Sequence, residues 1–180
     1  GQGPRLHDEF APVTLLNEYA RTKFAGEAFA ATYQSALIVR TNFTGWRGLQ
    51  DAPTFLEWAV SALQNQDEII GYQDYYTSTL DTTTVARAVR ELLLARANGV
   101  FNVGAAGVTS KWEFLALLAD RIGVPRSKVK PADTPVDDVR RATNLGLDSG
   151  RAEKVLGWRF PDAGTVIDNL ISSANSMARG

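Results

Sequence analysis

The sequence predicts an α/β fold in which strands of a parallel sheet alternate with helices. Two short apolar runs, at residues 35–40 and 100–103, have the length and composition of strands. The first run is unbroken, as expected for a strand buried on both faces of a parallel sheet. Between the two runs, apolar residues recur at helical spacing over 53–64 and 85–97. Such alternation along one chain is typical of the α/β class.

Capping residues predict where several helices begin. The stretch 82–84 offers threonines as an N-cap for the helix at 85–97. Ser110 and Glu113 have the spacing of a capping box, which predicts a helix ending near Gly123. Asp162 is suited to cap a final helix. The remaining predicted elements are helices at 17–32 and 165–177, strands at 68–70 and 129–131, and a loop at 1–16.

Composition excludes several classes of function. The chain has 180 residues, a formal net charge of -1 and 44% hydrophobic residues, which is typical of a globular domain and gives no basic excess for nucleic acid. Without cysteine it has neither disulfides nor cysteine-based metal sites or nucleophiles. The single His7 has no partnering His or Cys, so we expect a surface residue and no metal site. No apolar run approaches the length of a membrane span and no signal peptide is evident, so we expect no membrane partner and a cytoplasmic location.

The predicted helix at 17–32 carries a pair of residues with a chemical use. Tyr19 and Lys23 are four residues apart, which places them on one helix face about one turn apart. A free phenol is a poor acid or base at neutral pH, but a nearby ammonium favours the phenolate. Tyr19 is therefore a candidate acid/base group. The alternative is a half-buried tyrosine packed beside a surface lysine.

The surrounding residues resemble a known superfamily. The stretch from Asn17 to Glu27, followed by the apolar run 36–39 and by Arg40-Thr41-Asn42, resembles the catalytic helix and next strand of the extended short-chain dehydrogenase/reductases. Within it, the chain is most similar to the dTDP-4-dehydrorhamnose reductase-like branch of nucleotide-sugar reductases and epimerases. The resemblance implies the C-terminal part of a Rossmann-type sheet, with residues 1–45 as a remnant of the NAD(P)-binding domain. Residues 46–180 would form mainly a small mixed α/β substrate-binding domain, with segments returning to the sheet.

The resemblance also implies roles for individual residues. Tyr19 would be the general acid that protonates a sugar carbonyl as NADPH or NADH delivers hydride, and Lys23 would hold the nicotinamide ribose. Thr41 and Asn42 would contact the same NAD(P) cofactor. The reaction would be reduction of a nucleotide-activated keto sugar, as in dTDP-rhamnose biosynthesis. The implied substrate-binding residues are Asn42, Trp46, Gln73, Thr77, Ser78 and Arg141.

The substrate residues lie in loops whose composition suits a base, a sugar or a phosphate. Residues 71–80 interleave aromatic rings with hydroxyls and an amide, which makes a stacking and hydrogen-bonding surface. Arg141 offers a planar fork for phosphate. The alternatives are that the aromatic rings pack inward, that Trp46 lies in the core, and that Arg141 is solvated or paired with Asp137 or Asp138.

One expected part of a dinucleotide site is missing from the sequence. No G-x-x-G-x-x-G or G-x-G-x-x-G pattern follows a strand, and Gly104 and Gly107 lack a third glycine. We therefore expect the C-terminal portion of a longer enzyme, inactive by itself. An epimerase or dehydratase and a non-catalytic regulatory subunit are the alternatives to a reductase. The sequence leaves open the sugar, the choice of NAD or NADP, and whether the protein forms a homodimer.

Overall fold

The computed structural model describes residues 4–49, 51–65, 68–135 and 141–177. Over these ranges the chain forms six α-helices, nine short strands and one turn of 3-10 helix at Arg126–Lys128. The helices are α1 (Glu18–Ala30), α2 (Phe55–Asn65), α3 (Thr82–Leu94), α4 (Lys111–Arg121), α5 (Gly150–Leu156) and α6 (Ala163–Met177). The strands are β1 (Leu37–Thr41), β2 (Phe43–Thr44), β3 (Ile69–Tyr72), β4 (Tyr76–Thr77), β5 (Leu80–Asp81), β6 (Gly99–Val103), β7 (Thr109–Ser110), β8 (Val129–Ala132) and β9 (Asn144–Leu145).

Parallel strand pairs dominate the sheets, which confirms the predicted α/β class. β1 pairs in parallel with β6, from Leu37 opposite Gly99 to Thr41 opposite Val103. β2 also pairs in parallel with β5, and β3 with β8. A three-stranded sheet of order β7-β4-β9 is mixed, because β4 is antiparallel to β7 and parallel to β9. The division into domains at residue 45 stays a prediction.

The prediction that the strand at 35–40 is buried on both faces is wrong. All five residues of β1 are only half-buried. Within the described ranges β1 pairs with β6 alone, so its other edge has no strand beside it. Leu37 and Val39 nevertheless pack against the hydrophobic core. Fully buried side chains at the centre of that core are Leu56, Leu63, Leu80, Leu92, Leu115, Leu118, Ile167 and Leu170.

The segment that precedes α1 lies against the sheet through its backbone. The His7 N–H donates to the carbonyl of Gly146 (2.9 Å), and the Asp148 N–H donates to the carbonyl of His7 (2.8 Å). The side-chain amide of Asn102, on β6, also donates to the His7 carbonyl (2.9 Å). His7 is therefore half-buried, and the prediction of a surface histidine is wrong. Its backbone lies between β6 and residues 146–148.

The helix caps explain where the helices begin. The capping box of Ser110 and Glu113 is present as predicted at the start of α4. Asp81, and not a residue of 82–84, caps α3, because its carboxylate accepts from the Thr84 N–H (2.8 Å) and hydroxyl (2.7 Å). α3 ends at Leu94, before the predicted end at 97. None of the helices in the described ranges is both long and apolar enough to cross a membrane.

Candidate active site

α1 presents Tyr19 and Lys23 together on its surface. Asn17 caps the helix, because its side-chain oxygen accepts from the Ala20 N–H (2.9 Å). One turn apart, the Lys23 ammonium lies 5.5 Å from the centre of the Tyr19 ring. The Tyr19 side chain is 72% exposed. The helical part of the tyrosine-lysine prediction is thus met, and the phenol lies on the surface rather than half-buried against a neighbour.

A half-buried ion pair attaches α1 to the end of β1. The Arg40 guanidinium donates from Nε and from its terminal nitrogen to the Glu27 carboxylate, at 2.9 and 2.7 Å. It also donates to the Glu9 carbonyl (3.3 Å). The hydrogen bond and charge of Glu27 raise the pKa of Arg40. Because α1 has no buried residue in the described structure, this pair is a principal link between the Tyr19 helix and the sheet.

The residues that follow β1 belong to a polar network. The Asn42 side-chain oxygen accepts from the Thr79 hydroxyl (2.8 Å), and its carbonyl accepts from the Leu80 N–H (2.9 Å). Since the single hydroxyl proton of Thr79 goes to Asn42, the Thr77 hydroxyl must donate to Thr79 (2.9 Å). The structure therefore brings together two predicted site residues, Asn42 and Thr77. Thr41 differs, because its hydroxyl is buried without a hydrogen-bond partner among the described residues.

Ser78 and Trp46 have their polar groups occupied within the protein. The Ser78 hydroxyl accepts from the Leu147 N–H (3.0 Å), and the side chain is almost fully buried. The Trp46 indole N–H donates to the carbonyl of Leu170 on α6 (2.7 Å), and the ring packs against the core. The polar atoms of both residues thus hold loops in place, as does the Thr77 hydroxyl.

Gln73 and Arg141 lie on the surface. The Gln73 side-chain amide donates to the Asp133 carboxylate (2.9 Å), and Arg141 is exposed. Burial raises the pKa of the Tyr75 phenol, and the charge of Arg141 acts in the opposite direction. The charge of Arg141 therefore influences Tyr75, which lies in the same loop as Gln73. Asp137 and Asp138, the alternative partners of Arg141, lie outside the described residues.

A cavity of about 330 Å³ lies beside Thr77, a member of the hydrogen-bond network of Asn42, Thr77 and Thr79. Its lining includes Thr77, Ala105 and Gly107, and also Asp162 and Gly164 at the start of α6. The side-chain oxygen of Asp162 accepts from the Thr165 N–H (2.8 Å), so the acid caps α6. No cluster of three or more His, Asp or Glu side chains suited to a metal ion occurs in the part of the chain that the structure describes.

Sequence reasoning missed four residues near the predicted site. The attachment of α1 involves Glu9, Glu27 and Arg40. The position of Arg40 at the end of an apolar strand was a signal in the sequence, because a partly buried cation needs an acidic partner. Lys111, at the start of α4, lies over the rings of Phe55 and Tyr75. The sequence gives no signal for that arrangement, because these three residues are far apart along the chain.

Comparison with known proteins identifies the fold. No curated protein matches the chain significantly. A dTDP-4-dehydrorhamnose reductase from Clostridium acetobutylicum superposes with a TM-score of 0.82 at 20% identity, over 97% of this chain and 62% of that one. The same enzyme from Bacillus anthracis, in complex with NADP, gives 0.83 at 20% identity over 96% and 61%. A UDP-glucose-4-epimerase from Stenotrophomonas maltophila, with bound NAD and a UDP-sugar, gives 0.71 at 19% identity over 98% and 61%.

These similarities establish the fold, and the chain spans about three fifths of the length of the matched structures. A family model described as the RmlD substrate binding domain matches residues 1–175. That match extends over nearly all of the 180 residues. It includes α1 with Tyr19 and Lys23 as well as the loops around Gln73 and Arg141. The chain belongs to the RmlD substrate-binding domain family.

Proposed function

We propose that the chain supplies the proton donor and the substrate-binding region of an NAD(P)-dependent reductase of nucleotide-activated keto sugars. The observation that carries this proposal is the exposed Tyr19 ring with the Lys23 ammonium 5.5 Å from its centre. The fold similarity to dTDP-4-dehydrorhamnose reductases, one of them in complex with NADP, supports the choice of reaction and cofactor.

In this mechanism Tyr19 transfers its hydroxyl proton to the carbonyl oxygen of the sugar. The Lys23 ammonium, 5.5 Å from the centre of the Tyr19 ring, would contribute positive charge to the site where the proton is transferred. NAD(P), when bound, supplies the hydride. The ion pair between Glu27 and Arg40 holds α1 relative to the end of β1, so it positions the Tyr19 hydroxyl.

The residues at the end of β1 fit the polar part of a nicotinamide nucleotide. A buried hydroxyl without a partner, such as that of Thr41, costs free energy that a ligand's hydroxyl or amide would recover. We assign Lys23 to the ribose of the nicotinamide nucleotide and Thr41 to the amide group of the nicotinamide ring. Asn42 would act through its side-chain NH2 group, since its side-chain oxygen accepts from Thr79 and its backbone carbonyl accepts from Leu80.

On the substrate side we assign direct contacts to Gln73 and Arg141, which are exposed. Trp46, Thr77 and Ser78 would shape the pocket by holding its loops, because their polar atoms are already bonded within the protein. An epimerase or dehydratase of the same fold is the second candidate, supported by the match to UDP-glucose-4-epimerase. The higher TM-scores of the reductases favour reduction.

Loss of NADPH absorbance with a panel of 4-keto nucleotide sugars tests the proposal. The assay uses the protein that carries this chain, because the 180 residues contain no glycine-rich turn for the pyrophosphate. Tyr19→Phe should lower kcat about 10²-fold or more, with little change in the Kd for NADPH.

Tyr33→Phe is the matched control, since Tyr33 is similarly exposed at 74% but has no lysine over its ring in the described structure. The proposal is wrong if Tyr19→Phe retains the parental kcat. It is also wrong if the two variants lose activity equally.

A further inference from the structure

One surface of the molecule is basic although the chain as a whole is slightly acidic. Helices α3 and α5 with their flanking residues, 82–99 and 148–160, carry six cations and three acidic residues. The formal net charge of the whole chain is -1, so the remainder of the chain is acidic. We call these two segments the basic face. Its cations are all exposed, and they are Arg87, Arg90, Arg96, Arg151, Lys154 and Arg159.

Side-chain contacts hold the two segments of the basic face side by side. The Arg87 guanidinium of α3 lies 4.4 Å from the centre of the Trp158 ring, and the Trp158 indole N–H donates to the Glu91 carboxylate (2.6 Å). The Arg151 guanidinium of α5 lies 4.4 Å from the centre of the Phe101 ring on β6, the strand that follows α3. The cations of both segments therefore belong to one continuous surface.

The three acidic residues of the basic face have partners within the protein. Glu91 accepts from the Arg87 guanidinium (2.9 Å) as well as from the indole. Glu153 accepts from the Phe160 N–H (2.9 Å), and Asp148 accepts from the backbone N–H two residues later (2.8 Å). Six cations against three acids leave an excess of three positive charges at the surface. Charge complementarity therefore requires an anionic partner.

Exposed apolar side chains lie among these cations. Leu93 and Leu94, in the last turn of α3, are 59% and 68% exposed, and Val155 on α5 is 44% exposed. Arg90 precedes the two leucines by about one turn, and Arg96 follows them. Nucleic acid would use the charges but not the leucines, because it attracts proteins mainly through its phosphates. An anionic lipid surface uses both, since cations meet the headgroups and apolar side chains enter the boundary of the acyl chains.

We propose that the basic face docks on an anionic membrane surface, with Leu93 and Leu94 inserted at the level of the headgroups. Docking of this kind places a folded helix along the surface and needs no helix that spans the bilayer. The proposal replaces the sequence-based expectation of no membrane partner, which considered only spans and signal peptides. It is independent of the reaction that Tyr19 and Lys23 are proposed to support.

Cosedimentation with lipid vesicles tests the proposal on the protein that carries this chain. We expect binding to vesicles of phosphatidylcholine mixed with phosphatidylglycerol, and much weaker binding to phosphatidylcholine alone. Added salt should weaken the binding, because it screens exposed charges. Arg90→Gln combined with Lys154→Gln should weaken it about 25-fold, since each cation near an anionic surface contributes about five-fold. Leu94→Ser should weaken it about five-fold or more by removing apolar contact, and should keep the salt dependence.

Matched variants outside the basic face serve as controls. Arg21→Gln combined with Arg47→Gln removes the same charge from exposed positions, and Phe29→Ser removes an apolar side chain of α1 that is 76% exposed. Both controls should bind the anionic vesicles as the parent does. Arg90→Lys combined with Lys154→Arg keeps the charge and should also bind normally, which separates a loss of charge from a loss of folding.

Several results would overturn the proposal. It is wrong if the protein does not bind anionic vesicles, if it binds neutral vesicles equally well, or if the controls lose as much binding as the variants of the basic face. Polyglutamate serves as a soluble acidic competitor. If it displaces the protein from vesicles while Leu94→Ser binds like the parent, the basic face recognises an acidic macromolecule and not a membrane.

Discussion

Replacing Glu27 by Gln should loosen α1 from the sheet. The side chains of Arg40 and Glu27 are 22% and 23% exposed, and the guanidinium makes a two-pronged contact with the carboxylate. Removing one partner of a fully buried pair costs about 3–5 kcal/mol, and of an exposed pair about 0–1 kcal/mol. Glu27→Gln lies between these limits, so we expect a loss of about 2 kcal/mol. For a domain of this size, that lowers Tm by about 4–8 °C.

Urea unfolding followed by circular dichroism measures this loss, and hydrogen exchange shows whether it is confined to α1. The matched control is Glu18→Gln on the same helix, which breaks the pair with Arg21. Since those side chains are 78% and 60% exposed, the control should cost less than about 0.5 kcal/mol. Equal losses for Glu18→Gln and Glu27→Gln would refute the argument that burial makes the second pair important. A double-mutant cycle with Arg40→Met would isolate the pairwise free energy.

Two other predictions concern single charged residues. Backbone N–H groups of Gly48, Thr54 and Arg47 lower the pKa of Glu57 from 4.5 to about 2. The charge of Glu57 therefore stabilises the folded chain above about pH 4.5, and this stability is lost as the pH falls towards 2. The Tm of Glu57→Gln should therefore lie below that of the parent at neutral pH and converge with it near pH 2; a constant difference would contradict this. Arg141→Ala should weaken binding of a dTDP-sugar by about 1.5–3 kcal/mol while changing NADPH affinity much less. The exposed Arg159→Ala is its control in calorimetric titration, and equal effects of the two variants would exclude a specific role for Arg141.

Local patterns in the sequence predicted several local features of the structure, though not the N-cap or the end of α3. The capping box at Ser110 and the shared helix face of Tyr19 and Lys23 depend on residues within four positions, and both are present. The predicted burial of β1 was wrong because burial of a strand's two faces depends on which helices and loops cover the sheet. The sequence shows how apolar a strand is, but not which elements pack on its faces.

Contacts between distant residues account for most of what the sequence did not predict at the site. The resemblance implied substrate contacts for Ser78 and Trp46, yet the hydroxyl and the indole N–H bond to Leu147 and Leu170 within the protein. The Trp46 contact joins residues 124 positions apart. The cation of Lys111 likewise meets Phe55 only through tertiary packing. No periodicity or spacing rule encodes such pairings.

The position of the His7 segment has a consequence for the order of events during synthesis. The Arg5 carbonyl accepts from Asn144, which lies 139 residues later, and His7 pairs with Gly146 and Asp148. The first described residues therefore leave the ribosome long before the residues they will bond. Closing so large a loop costs conformational entropy, so we expect these contacts to form late in folding. Until residue 148 has been synthesised, the His7 segment cannot bond to residues 146–148. The edge of β6 beside Asn102 then lacks the covering that this segment provides.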